Sequence, residues 1–314
     1  MGDAVSEYPD DPRALRLYAF GEFMHMPFPA RAMIMDPVLP VQGLAMVYAP
    51  RGLGKTFFAL GLAHAVAGGG SFLRWQAPKP RSVLYIDGEM PARVLKERIE
   101  LVIDSTCYAI GDRDYFNILS CDQQGDVSLD ISDPADQALI NRYLTNVDLV
   151  VLDNLATLHR GGPENEGESW LSTQHWLLQL RRSGRAVLIV HHSGKGGQQR
   201  GTSRREDVLD TVIALRRPFD YTADQGARFE VHIEKGRGLY GAGAQPFEAQ
   251  LVTANGRTAW TIKPLDDVNR AKVIALLREG QSVRDIAEET GLSKSKVGRI
   301  RIDAAQAGLL DDAP

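Results

Sequence analysis

From about Pro37 to Pro264 the chain alternates short apolar runs with amphipathic stretches. Leu44–Tyr48, Ser82–Ile86, Leu149–Leu152 and Ala186–Val190 are short, bounded and rich in Val, Ile and Leu, the pattern of strands covered on both faces. Phe57–Ala67 and Glu168–Arg182 carry helical spacing, and Val208–Leu215 and Arg228–Glu234 read as further strands with a turn-rich break between them. The alternation predicts an α/β domain with a mainly parallel sheet flanked by helices. Residues 1–35 show weak periodicity and form a lead-in. After Lys263-Pro264 the pattern turns helical from Val268 to Leu310, with a turn signal at Gly291. The expected organisation is a lead-in over 1–35, an α/β domain over 36–265 and a small all-α domain over 266–314. Arg160–Ser169 and Ser193–Asp207 are polar and glycine-rich, so both are expected to be loops rather than core.

Composition changes this picture little. The formal net charge of −4 over 314 residues excludes a generally basic, histone-like chain but leaves room for a local basic patch. Cys107 and Cys121 lie far from any CxxC pairing, which suggests neither a metal site nor a disulfide framework and points to a reducing cytoplasm. The start, MGDAVSEYPDDPR, is acidic and polar, unlike a secretory signal. No apolar run reaches the roughly 20 residues that span a bilayer. A soluble cytoplasmic protein with no membrane partner is expected.

The candidate chemistry begins at VYAPRGLGKT, Val47–Thr56. A phosphate-binding loop has Gly, four residues, then Gly-Lys-Ser/Thr; here Gly54-Lys55-Thr56 are present, but Ala49 replaces the first glycine. Such a loop works because successive backbone N–H groups and a helix N-terminus face the phosphates. Gly52 and Gly54 supply the close curl, whereas position 49 only leaves the strand and tolerates a small residue. Ala49, Pro50, Arg51, Gly52, Leu53, Gly54, Lys55, Thr56 and Phe57 are therefore the expected ATP-binding set. Lys55 would reach the β/γ-phosphates and the Thr56 hydroxyl would ligate Mg²⁺.

Three strand ends add to it. In LVVLDNL the apolar run closes on Asp153, the position of a second carboxylate for Mg²⁺, acting through water. VLYIDGEM ends in Asp87 and Glu89; Glu89 is the candidate to orient the attacking water, the alternative being a solvent-facing loop acid. In VLIVHHSGK the strand closes on two histidines, of which one can sense the γ-phosphate. His192 is the first choice and His191 the second.

In this order the pieces resemble the RecA-fold ATPases, and more narrowly the hexameric helicases of the plasmid RepA type and their DnaB-type relatives. The resemblance spans about Pro37 to Gly243. It implies that Glu89 is the catalytic glutamate, Asp153 the Walker B aspartate and VHHSGKG the sensor segment. RGTSRREDVLDTVIAL resembles the stretch that follows the sensor loop in RepA-like ATPases. HIEKGRGLYG is similar to the K-x-R segment that reaches a neighbouring subunit's ATP site, which implies trans-acting roles for Lys235 and Arg237; Arg200, Arg204 and Arg216 are alternatives. The resemblance further implies a homo-oligomer, a hexameric ring. Only about 35 residues precede the ATPase, which resembles the compact RepA arrangement.

Two regions are expected to meet DNA. In a ring, the loop over 193–207 would face the channel, and Lys195, Arg200, Arg204 and Arg205 give it charge for a single-stranded backbone, although it has no aromatic residue for stacking. SVRDIAEETGLSKSKVGRIRIDAAQAGLL reads as a helix-turn-helix, with Val283, Ile286, Ala287, Val297 and Ile300 buried, Gly291 in the turn and Ser293 as a cap. Residues 268–310 hold eight basic and five acidic side chains. Lys294, Lys296 and Arg299, with Ser295 and Arg301 beside them, are the candidate DNA-facing positions; packing against a neighbouring ATPase or a replication partner is the alternative. The functions that fit are an ATP-dependent, ring-forming DNA helicase of a plasmid, phage or mobile element, a regulatory or loader ATPase that recognises duplex DNA, or a recombination-type filament ATPase.

Overall fold

The computed structural model describes residues 15–28, 30–160, 167–194, 206–218 and 220–310. The chain divides into two compact units, Met1–Ala32 and Met33–Pro314. The described part of the first holds one short helix, α1 (Phe20–His25), which buries no side chain.

The second unit begins with β1 (Met33–Met35), β2 (Leu39–Pro40), β3 (Leu44–Ala49), α2 (Lys55–Gly68), β4 (Ser71–Phe72), β5 (Trp75–Gln76) and β6 (Val83–Asp87). It continues through α3 (Ala92–Asp104), β7 (Phe116–Ser120), α4 (Pro134–Asn141), β8 (Leu149–Asp153), α5 (Leu155–Leu158), α6 (Gly167–Arg182) and β9 (Ala186–His192). Four strands follow, β10 (Thr211–Arg216), β11 (Arg228–Gly236), β12 (Phe247–Ala254) and β13 (Arg257–Pro264), then α7 (Leu265–Arg278), α8 (Val283–Thr290) and α9 (Lys294–Gln306).

Nine strands form the central sheet in the order β13-β12-β11-β10-β3-β9-β8-β6-β7. From β10 to β7 every pairing is parallel, and β11, β12 and β13 extend the β10 edge as an antiparallel meander. The mainly parallel α/β architecture expected from the apolar runs is therefore present. Every residue of β3, β6 and β8 is buried, because helices cover both faces. Alternation in β3 sends Ala45, Val47 and Ala49 into the core beneath α2, and Leu44, Met46 and Tyr48 into the core beneath α6, as a period of two requires. Helix α2 is apolar almost all round and lies buried through most of its length, the pattern of an internal helix.

The pattern reading did not list α3, β7, α4 or the β12–β13 hairpin. β7 and β13 are the two sheet edges and expose many of their residues, so they lack the continuous apolar run that marks the central strands. The C-terminal helices share a core of Val273, Ile274, Leu276, Ile286, Ala287, Val297, Ile300 and Ala304. Ser282 and Ser293 cap α8 and α9, and Gly291 ends α8 with φ of 69°. Val283 packs against this core but stays partly exposed.

Candidate functional site

Parallel strands end at one edge of the sheet, and that edge carries the chemistry. Ala49 is paired with His192, and Asp87 with Asp153, across neighbouring strands. Between β3 and α2 the chain turns through Gly52 (φ 75°) and Gly54 (φ 103°), both in the left-handed region that favours glycine. Gly54 is also pressed: a Cβ there would sit 3.0 Å from the Ala227 Cβ. Ala49, by contrast, is the last residue of β3 and fully buried. Its carbonyl accepts from the Ser193 N–H at 2.9 Å. The absent first glycine thus falls on an ordinary strand position, where a methyl group fits.

Lys55 is buried at the start of α2, and its ammonium donates to the carbonyls of Ala49 at 3.1 Å and Pro50 at 2.9 Å. Burial lowers its pKa to about 8, against the opposing pull of Asp153 and Glu89. A cavity of about 310 Å³ opens beside it. Arg51, Gly52, Gly54, Lys55, Thr56 and Phe57 line that cavity, together with Asp87, Glu89, Asp153 and His192. Leu53 instead points into the core, and Ala49 and Pro50 contribute through their carbonyls.

Asp153 lies buried at the floor. Its Oδ2 accepts from the Tyr85 hydroxyl at 2.6 Å, and Thr56 also donates to it. Burial raises its pKa in spite of those hydrogen bonds. A hydroxyl and a carboxylate already in contact suit a hard cation such as Mg²⁺, which keeps several waters and takes its remaining ligands from phosphates. Among the described residues there is no group of three or more His, Cys, Asp or Glu that could hold a metal by themselves. Asp87 is buried too, with Oδ2 accepting from the Met90 N–H at 3.0 Å. Burial pushes its pKa up to about 7.

Glu89 stands above these groups with about half its side chain exposed. Its Oε2 accepts from the Asn154 amide and lies 3.8 Å from His192 Nε2. Asn154 is the first residue after β8, and its Oδ1 caps α5 by accepting from Ala156 and Thr157 N–H groups. One amide therefore fixes the start of α5 and the position of Glu89. His192 lines the cavity, whereas His191 is fully buried and does not.

Sequence reasoning missed Asn154, Met90, Arg98, Gly226 and Ala227, all of which line the cavity. Arg98 sits on the inner face of α3, one turn from buried Leu95 and Val102. Its guanidinium lies over the Phe57 ring, 5.4 Å from the centroid. The outward side chains of α3 instead make ladder pairs, Arg93 with Glu97 and Lys96 with Glu100. An arginine on the apolar stripe of an amphipathic helix was the available signal.

Lys235 and Arg237 occupy the opposite edge of the sheet. Gly236 is level with Thr211 and Ala45, at the amino ends of the parallel strands. Lys235 Nζ donates to the Glu206 carbonyl, and Arg237 Nη2 to that of Asp207 at 3.0 Å. Neither lines the cavity of its own chain. Arg216 pairs with Glu234 at 3.0 Å. Lys195, Arg200, Arg204 and Arg205 lie outside the described residues, as do residues 161–166 of the first polar loop. On α9, Lys294 and Arg299 are exposed, while Lys296 is bonded to Asp266 of α7 at 2.8 Å. Cys107 and Cys121 are free thiols. No helix among the described residues is long and apolar enough to cross a membrane.

A family model described as an AAA domain matches residues 10–198. The chain belongs to that family. No curated protein matches it. Among solved structures, a KaiC-like protein from the hyperthermophilic archaeon Pyrococcus horikoshii OT3 is similar in fold. Its TM-score is 0.52 at 14% identity, over 74% of this chain and 98% of that one. Family and fold together make the AAA-domain chain a P-loop ATPase with a RecA-like core.

Proposed function

We propose that the chain hydrolyses ATP to drive a ring-forming DNA motor, a helicase of a plasmid, phage or mobile element that translocates on single-stranded DNA. The observation that carries the hydrolytic part is the grouping of Glu89, Asn154 and His192 at adjacent strand ends beside Lys55. In this reading the loop N–H groups and Lys55 hold the β- and γ-phosphates, and Thr56 and Asp153 hold Mg²⁺. The ion, when bound, neutralises charge on the phosphate oxygens. Glu89 accepts a proton from the attacking water, and Asn154 holds its carboxylate in place. His192, within reach of Glu89, senses the γ-phosphate and passes its presence to the polar loop that follows β9. Lys235 and Arg237, remote from their own cavity, act on the next subunit's phosphates and make turnover depend on assembly.

Strand displacement on a forked duplex, with sedimentation of the ATP-bound protein, tests this reading. ATP-dependent displacement by a hexamer is expected. A protein that stays monomeric with ATP and single strands, and displaces nothing, would refute the ring motor. A second reading, a regulatory or loader ATPase that engages duplex DNA through α8 and α9, is favoured by the exposed basic residues Lys294 and Arg299. The domain division 1–35, 36–265 and 266–314 is proposed with both.

A further inference from the structure

We propose that Asp87 is a further binding residue of the nucleotide site: its Oδ1 accepts a hydrogen bond from a water carried by the divalent cation that accompanies ATP. This rests on the reading that Thr56 and Asp153 hold that cation, and it adds a carboxylate to them. Asp87 closes β6 in register with Asp153 of β8. The Gly88 N–H donates to the Asp153 carbonyl at 2.8 Å, which keeps the two strand ends level.

The two buried carboxylates are differently occupied. Asp153 accepts from both Tyr85 and Thr56. Asp87 is 1% exposed and lines the cavity. Its Oδ2 accepts from the Met90 N–H at 3.0 Å, but its Oδ1 is buried and accepts from no donor among the described residues. Ser120, its register partner on β7, does not donate to it either. Glu89, the third acid of the cavity, is half exposed and already accepts from Asn154. A buried carboxylate oxygen without a donor is costly, so the donor comes with the ligand. The triphosphate cannot supply it: its oxygens are acceptors, and their charge repels a carboxylate. Mg²⁺ bound among phosphates keeps several waters, and each brings O–H donors. A carboxylate on the strand beside Asp153 is placed to take one of them.

The test is equilibrium binding of a fluorescent, non-hydrolysable ATP analogue to the full chain at pH 8, in Mg²⁺ and in EDTA, for wild type and Asp87→Asn. The substitution keeps the shape of the side chain and an oxygen for the Met90 N–H. In wild type Mg²⁺ is expected to tighten binding. Asp87→Asn should shrink that Mg²⁺-dependent gain about tenfold or more, as loss of a carboxylate behind a metal's ligands does. Its binding in EDTA should equal or exceed wild type, because an anion beside the phosphates is gone. The melting temperature without nucleotide should not fall, since a buried charge is removed. A Mg²⁺ gain equal to that of wild type would overturn the assignment. Equal weakening in Mg²⁺ and in EDTA would give the oxygen to the nucleotide or to the fold, and would overturn it too. No Mg²⁺ gain in wild type would overturn the cation reading itself, and this inference with it.

Discussion

Lys55 gives the sharpest handle on the nucleotide cleft. Its burial brings the pKa to about 8, so the ammonium is lost as pH rises through 8. A bound polyphosphate favours the charged form and restores the pKa to its ordinary value or above. Binding must then take up a proton at alkaline pH. With one group titrating near 8 when free and above 10 when bound, affinity falls about tenfold from pH 7 to pH 9, or ~1.4 kcal/mol. Asp87, with its pKa raised to about 7, acts in the same direction: it becomes an anion near the phosphates as pH rises through 7. The assay is calorimetric titration with ATP in EDTA, in buffers of different ionisation enthalpy, from pH 6.5 to 9.5. Asp87→Asn should remove the shallow fall between pH 6.5 and 7.5 and leave the steeper fall above 8. A flat affinity between pH 8 and 9, or a steep fall above pH 8 that survives in Lys55→Met, would refute the reasoning.

Three further outcomes follow from the same geometry. Glu89→Gln should leave ATP binding near wild type and lower turnover by about 10²-fold or more; normal single-turnover rates in this variant would remove Glu89 from the chemistry. Gly54→Ala meets both a φ of 103° and the Ala227 Cβ at 3.0 Å, so it should lose about 1–3 kcal/mol of stability in urea unfolding and most nucleotide affinity. Arg98→Ala removes a cation that lines the acidic cleft; ATP affinity should fall about tenfold with the melting temperature nearly unchanged, as an exchange of one charge-assisted contact predicts.

The central strands and the carboxylates at their ends were legible because a parallel sheet buries both faces and writes each strand as an apolar run. Asp87, Asp153 and His192 close such runs, and the topology brings them to one edge. Asn154 was not legible as a partner of Glu89, since 65 residues separate them and only the pairing of β6 with β8 joins them. Gly226 and Ala227 came from a loop with no motif of its own, carried to the cleft by the antiparallel β11. Ala49 shows a departure from the loop pattern that was legible as harmless: it was expected only to leave the strand, and it is the last, buried residue of β3. Lys296 was expected on the exposed side of its helix; it stays 39% exposed there but pairs with a carboxylate on α7, Asp266, at 2.8 Å. Binary pattern alone does not encode such a pair.

The most direct measurement is steady-state ATP turnover by wild type and Lys55→Ala, each without DNA, with single-stranded DNA and with blunt duplex. The motor reading predicts turnover that single strands stimulate strongly, and no turnover above background in Lys55→Ala under any condition. Turnover indifferent to single strands would contradict the motor, and undiminished turnover in Lys55→Ala would contradict the site itself.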